Sequence, residues 1–158
     1  MIQRMQTVYL ILALAFCGIL FFIPLSLALP DTDAGNVYKL DAFGISFSQD
    51  KLTILAENTI ALTACLAIAS LLILIAIFMF KNRPLQVKLS RLSTVLLLVF
   101  VVLIFYYTDY MIGLNEVETK SIYVTGTYLP FVAIILLLLA VRAIKKDEAL
   151  VRSADRLR

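Results

Sequence analysis

The sequence predicts an all-α membrane protein, a four-transmembrane-helix up-down bundle with both termini on the cytoplasmic side (N-in/C-in). Three observations predict it. Hydrophobic residues make up 62% of the 158 and charged residues 16%, against about 45–50% and about 25% in soluble domains. The apolar residues fall into four runs that match a hydrocarbon core about 30 Å thick, which takes about 17–25 residues of helix. The basic residues crowd into alternate connections. One membrane domain, residues 1–158, is expected, with spans at 5–30, 58–80, 92–112 and 121–143. A small β-sheet cap on the outer face and a cytoplasmic C-terminal helical extension complete the expected architecture.

The first span, 5–30, carries no charge. Arg4 before it and the small-residue string "SLA" at 26–28 resemble a cleavable signal peptide. The apolar part of a signal peptide is only about 7–15 residues long, so a retained helix is the better reading. Pro24 and Pro30 are expected to bend or end it near the outer face.

The outer loop at 31–57 is not simply polar. Residues 37–40 and 43–47 have the composition of two short strands around an Asp41-Ala42 turn, and "SIYVT" (121–125) that of a third, which together would form the cap. The alternative is an irregular loop whose aromatic rings dip into the headgroups, because short apolar runs are ambiguous. Glu57 and Asn58 stand where they would complement or cap the N-terminus of the second helix. Within the second span, 58–80, Ala61, Cys65 and Ala69 recur every four residues. Such a small-residue stripe lets helices approach closely. Packing within this chain is the plainer reading of it, and docking of a foreign helix the sharper one.

The connection 81–91, "KNRPLQVKLSR", holds Lys81, Arg83, Lys88 and Arg91 and no acid. Retention of positive charge on the cytoplasmic side accounts for it. Contact with anionic lipid headgroups, an acidic protein or RNA is the additional reading, with lipid foremost. The third span, 92–112, is the least apolar at its ends, with Ser93 and Thr94 on the inner side and Asp109 on the outer. A second outer loop, 113–120, precedes the fourth span. Arg4, the 81–91 loop and the segment from Arg142 onward hold 11 of the 14 basic residues; residues 31–57 and 109–120 on the outer side hold eight of the 11 acids. Tyr106, Tyr107, Tyr110, Tyr123 and Tyr128 gather near the outer ends of the last two spans, as interfacial aromatics do.

The tail, 144–158, begins with a membrane stop. Arg142, Lys145 and Lys146 complement the negative end of the fourth helix. Beyond them Glu148 and Arg152 stand at i,i+4 and Asp155 and Arg158 at i,i+3, while Leu150, Ala154 and Leu157 share one helical face. This extension is assigned as a partner-binding element comprising Glu148, Leu150, Arg152, Asp155, Arg156, Leu157 and Arg158. The plain alternative is a frayed, solvated helix end.

The chain has no His and no Trp, and Cys17 and Cys65 lie inside apolar runs. It shows no nucleophile with an adjacent base, no metal-ligand spacing and no phosphate-binding glycine loop. No enzymatic activity and no cofactor are therefore expected. "MIQRMQTVYL" at the start, "GTYLP" at 126–130 and "IKKDEALVRSADRLR" at the close resemble a family of Bacteroidota inner-membrane proteins catalogued as domain of unknown function 4293. The resemblance runs end to end. It implies a four-helix inner-membrane protein with no assigned activity, and it directs attention to the tail and the "IQR" start.

The expected function is that of an accessory or scaffold subunit in a larger bacterial inner-membrane complex, serving secretion, insertion or envelope biogenesis. The alternative is a small-molecule or lipid transporter acting as an oligomer. Expected partners are membrane lipid and a membrane protein; no DNA is expected, and RNA on the basic side is the weakest candidate.

Overall fold

Hydrogen-bonding needs of the backbone decide where each apolar run stays helical and where it does not. The computed structural model describes residues 3–30, 37–49, 52–80, 82–113 and 119–155. These form α1 (Gln3–Ile19), β1 (Ser26–Pro30), β2 (Val37–Leu40), β3 (Gly44–Gln49), β4 (Leu52–Asn58), α2 (Ile60–Phe78), α3 (Arg83–Gly113), β5 (Thr119–Tyr123) and α4 (Thr125–Asp155). Among the described residues the fold is thus mostly helical, with four helices and one small antiparallel sheet in the order β4-β3-β2-β1-β5. Three helices, Ile60–Phe78, Arg83–Gly113 and Thr125–Leu150, are long and apolar enough to cross a membrane, consistent with a membrane protein; the apolar stretch of α1, Met5–Ile19, is shorter.

Several boundaries differ from the sequence expectation, each for a local reason. The run at 5–30 does not remain helical to its end. It tightens after Ile19, where Phe21 and Phe22 donate to the carbonyls three residues back at 3.3 and 3.0 Å, the usual closing turn of a helix. Beyond Pro24 the chain becomes β1, hydrogen-bonded to β2 on one side and β5 on the other. This strand is paired on both edges, with Ser26 and Ala28 buried and Leu27 and Leu29 half-buried, and because its sequence is apolar on both faces, "SLALP" is indistinguishable from helix by hydropathy alone. Residues 52–58 also form a strand, so Glu57 and Asn58 close β4 and do not cap α2. The N-cap is Thr59, whose side chain makes no capping bond. The expected fourth span loses residues 121–123 to β5.

The basic connection at 81–91 is, from Arg83 onward, the first turns of α3. Pro84 sits in that first turn, where a missing N–H costs nothing, and the Gln86 amide donates to the Asn82 carbonyl at 3.0 Å. With 31 residues each, α3 and α4 are roughly 46 Å long at about 1.5 Å per residue. Both therefore exceed an apolar layer about 30 Å thick.

Helix α1 packs on α2 and α4, and α3 packs on the same two, while β1, β2 and β5 rest against α3. The shared core is apolar and includes Leu10, Cys17, Leu66, Phe100, Ile104 and Leu137. Outward-facing positions are apolar as well: Leu71, Val95, Val102, Ile135 and Leu138 are all exposed, whereas Ser90, Ser93, Thr94 and Thr108 are buried. Water would penalise that distribution, and lipid does not.

Side-chain hydroxyls fasten the sheet to the helix ends beneath it. Thr108 donates to the Ile104 carbonyl at 2.7 Å, which uses its one proton, so Ser26 on β1 donates to Thr108 across 2.9 Å. Thr59 and Thr63 at the start of α2 both reach the carbonyl of Ala42 in the β2–β3 turn. At the start of α4, Thr127 donates to the Leu25 carbonyl. Gly126 beside it lies so close to the α1–β1 connection that an added Cβ would stand 2.2 Å from the Pro24 carbonyl oxygen. Gly126→Ala is accordingly expected to destabilise the fold by about 1–3 kcal/mol, as overpacking does, seen as a lowered midpoint of unfolding in mild detergent. Gly113→Ala, which meets nothing within 4 Å, serves as the comparison and is expected to leave the midpoint unchanged.

Candidate functional site

At the end of the helices opposite the sheet, α1 and α3 meet α4 at Asp147, which carries a buried carboxylate. The inward stripe of α4 runs through Ala133, Leu137, Ala140 and Ile144, all 0% exposed, and the next residue on that stripe is Asp147, 5% exposed. Helical spacing of three and four residues makes this placement unavoidable once α4 continues past its lysines. Asp147 is thus an internal residue and not the first residue of a solvated tail.

Its partners come from the chain's first and third helices. The side-chain amide of Gln6, itself 5% exposed, donates to Oδ2 of Asp147. Arg83 donates from Nη1 to the Asp147 backbone carbonyl at 3.2 Å, bonding the main chain and not the carboxylate. Oδ1 of Asp147 is buried without a hydrogen-bond partner among the described residues. One turn along α3, Gln86 (2% exposed) donates from Nε2 to the Ala76 carbonyl near the end of α2 at 3.0 Å, and Ser90 donates to the Gln86 carbonyl at 2.9 Å. Val87, Val141 and Ile144 form a small apolar cluster between α3 and α4 at this level.

Beside this junction lies a cavity of about 490 Å³ bounded by Gln6, Thr7, Val8 and Ile11 of α1, by Phe80 after α2, and by Arg83 and Gln86 of α3. Exposed cations surround the region: Lys88 and Arg91 on α3, and Arg142, Lys145 and Lys146 on α4. The arrangement sets a guanidinium and the side-chain amides of Gln6 and Gln86 against an apolar wall, with the Asp147 carboxylate bonded to Gln6. Groups of that kind are chemically suited to an amphiphilic molecule or a neighbouring helix.

The residues singled out from sequence fall in different places. Cys65 and Ala69 are buried, and the Cys65 thiol lies 3.1 Å from the Leu96 carbonyl of α3, so this part of the stripe faces the chain's own third helix. Ala61 is exposed: the stripe turns away from α3 at its upper end, where Leu62 is the buried residue. In the basic cluster, Arg83 alone reaches the junction, Lys88 and Arg91 are exposed, and Lys81 lies outside the described residues. In the tail, Glu148 is half-buried and Leu150 exposed; the α4 backbone continues helically through Arg152 to Asp155. Arg156, Leu157 and Arg158 lie outside the described residues. Sequence reasoning passed over Gln6, Gln86 and Asp147. The readable signal for Asp147 was its position three residues after Ile144 on the apolar stripe, and Gln6 belongs to the "IQR" start.

Removing one partner of a buried polar pair costs about 1–3 kcal/mol, whereas removing both costs less. Gln6→Ala is therefore expected to destabilise the protein by that amount and Asp147→Ala similarly. The double variant should fall well short of the sum, leaving a coupling of at least about 0.5 kcal/mol in a double-mutant cycle followed by unfolding in detergent.

Residues 2–157 match the family described as Domain of unknown function (DUF4293). No curated protein matches the chain. A match over nearly the whole length covers both helix termini of the junction and all four helices, and on that ground the chain belongs to the DUF4293 family.

Proposed function

We propose that this protein is a non-enzymatic, integral inner-membrane accessory or scaffold subunit of a larger bacterial membrane complex, whose contact element is the C-terminal extension of α4. The observation that carries this reading is the junction at Asp147. A loose helix end needs no internal anchor, yet α4 is held to α1 by Gln6 and to α3 by Arg83. Beyond this anchor the helix continues to Asp155, and in this reading residues 148–155, with Glu148, Leu150, Arg152 and Asp155 among them, are the contact element. In the same reading the four helices form an up-down bundle, with the junction on the cytoplasmic side and the sheet on the outer side. The charge distribution supports that orientation, because basic residues concentrate at the junction end. The cavity beside α1 favours a second reading, a transporter of small molecules or lipid acting as an oligomer.

A periplasm-active reporter fused after Arg158 is expected to be silent, and activity there would reverse the orientation. Mild-detergent purification of the full chain should bring down a stoichiometric membrane-protein partner. Deleting 148–158, which spares Asp147, should leave insertion intact and lose that partner. A partner that stays bound to the truncated chain refutes the tail assignment, and a homogeneous homo-oligomer carrying solute refutes the subunit reading in favour of transport.

A further inference from the structure

The lining of the cavity beside α1 divides by chemistry. Val8, Ile11 and Phe80 supply an apolar wall and are 45%, 51% and 59% exposed, so the wall opens away from the protein, toward where acyl chains lie if α1 is embedded. Gln6, Thr7, Arg83 and Gln86 supply the polar part. The Gln6 amide is committed to Asp147 and the Gln86 amide to Ala76, and Thr7 also has an interaction of its own. Arg83 is committed only in part. Its guanidinium has five N–H donors in a planar fork, one of which, on Nη1, is directed at the Asp147 carbonyl. A carbonyl fixes the position of the group without neutralising its charge, and Arg83 is half-buried against the cavity, unlike the exposed Lys88 and Arg91.

We propose that the cavity binds one anionic glycerophospholipid, with the phosphate on the Arg83 guanidinium and the first acyl methylenes along Val8, Ile11 and Phe80. The volume of about 490 Å³ falls in the range of small-molecule sites, about 300–1,000 Å³, and takes the headgroup and the start of a chain while the remainder stays in the bilayer. A guanidinium fork matches phosphate oxygens two at a time. The exposed cations on α3 and α4 nearby raise the local concentration of anionic headgroups, and Arg83 converts that general attraction into a single site. The phosphate lies at the level where α2 ends and α1 begins its apolar run, which is where a headgroup belongs. Asp147 acts here as a positioning residue: its carbonyl aims the guanidinium, and its carboxylate is turned to Gln6. The proposal rests on residence in a membrane, which the subunit and transporter readings share, so loss or retention of a tail partner does not bear on it.

The test is native mass spectrometry of the full chain in mild detergent, titrated with phosphatidylglycerol or with inorganic phosphate. The wild type should retain one tightly held phosphatidylglycerol that millimolar inorganic phosphate does not displace. Arg83→Gln should weaken retention at least tenfold, Arg83→Lys less, and Lys88→Gln, outside the cavity, by under twofold. Val8→Trp should fill the apolar wall, leave Arg83 and its bond to Asp147 in place, and also weaken retention at least tenfold, which separates ligand loss from a broken junction. Unchanged retention in Arg83→Gln or Val8→Trp overturns the proposal. Equal weakening by Lys88→Gln and Arg83→Gln reduces the site to a diffuse basic surface, and displacement by inorganic phosphate reassigns it to a free anion; either result also overturns it.

Discussion

Helices with apolar outer faces gain little in lipid from burying more apolar surface against one another, so close packing and hydrogen bonds between elements must set their arrangement. The polar residues of this protein are placed accordingly. Two belts of side-chain hydrogen bonds close the fold, one at each end of the helices. At the sheet end, hydroxyls of Ser26, Thr59, Thr63, Thr108 and Thr127 join strands and turns to helix termini. At the other end Gln6, Arg83, Gln86 and Asp147 join the four helices to one another. Between the belts the contacts are apolar, with the free Cys17 and Cys65 buried among them as small hydrophobes.

The two belts differ in what they leave over. Every one of those hydroxyls at the sheet end finds an acceptor. The Asp147 belt retains a buried carboxylate oxygen without a partner among the described residues and a guanidinium whose charge is not neutralised by the carbonyl it bonds. A buried oxygen left unpaired in this way costs stability, and local rules of this sort are most often broken at functional sites. The cavity and the last turns of α4 both adjoin this belt, so the proposed lipid site and the proposed partner contact draw on the same group of residues.

Much of this was legible in the sequence, and the remainder was hidden for definite reasons. Hydropathy marks α2 and the apolar parts of α3 and α4, because an uninterrupted apolar run of that length matches the thickness of a bilayer and little else. The turn at Asp41–Ala42 and the strands either side of it were signalled by β-branched and aromatic residues around a short polar break. Strand β1 was not, since "SLALP" is apolar in either conformation and only its pairing with β2 and β5, distant in sequence, makes it a strand. The start of α3 at Arg83 was obscured by charge, which membrane-span reasoning treats as an end although it does not break a helix. Asp147 was obscured in the same way: three basic neighbours suggest water, while the helical period turns this one residue inward.

The Gln6–Asp147 contact, with the Arg83 bond beside it, ties the C-terminal part of α4 to α1 and α3, and the proposed role of residues 148–155 depends on that tie. Hydrogen–deuterium exchange of the protein in detergent, read over the amides of residues 148–155 in the wild type and in Gln6→Ala, tests it most directly. Slow exchange is predicted in the wild type and roughly tenfold faster exchange in the variant, the change expected if about 1.4 kcal/mol of local stability is lost, with the amides of α2 unaffected. Equal exchange in the two proteins, or an extension already unprotected in the wild type, would contradict it.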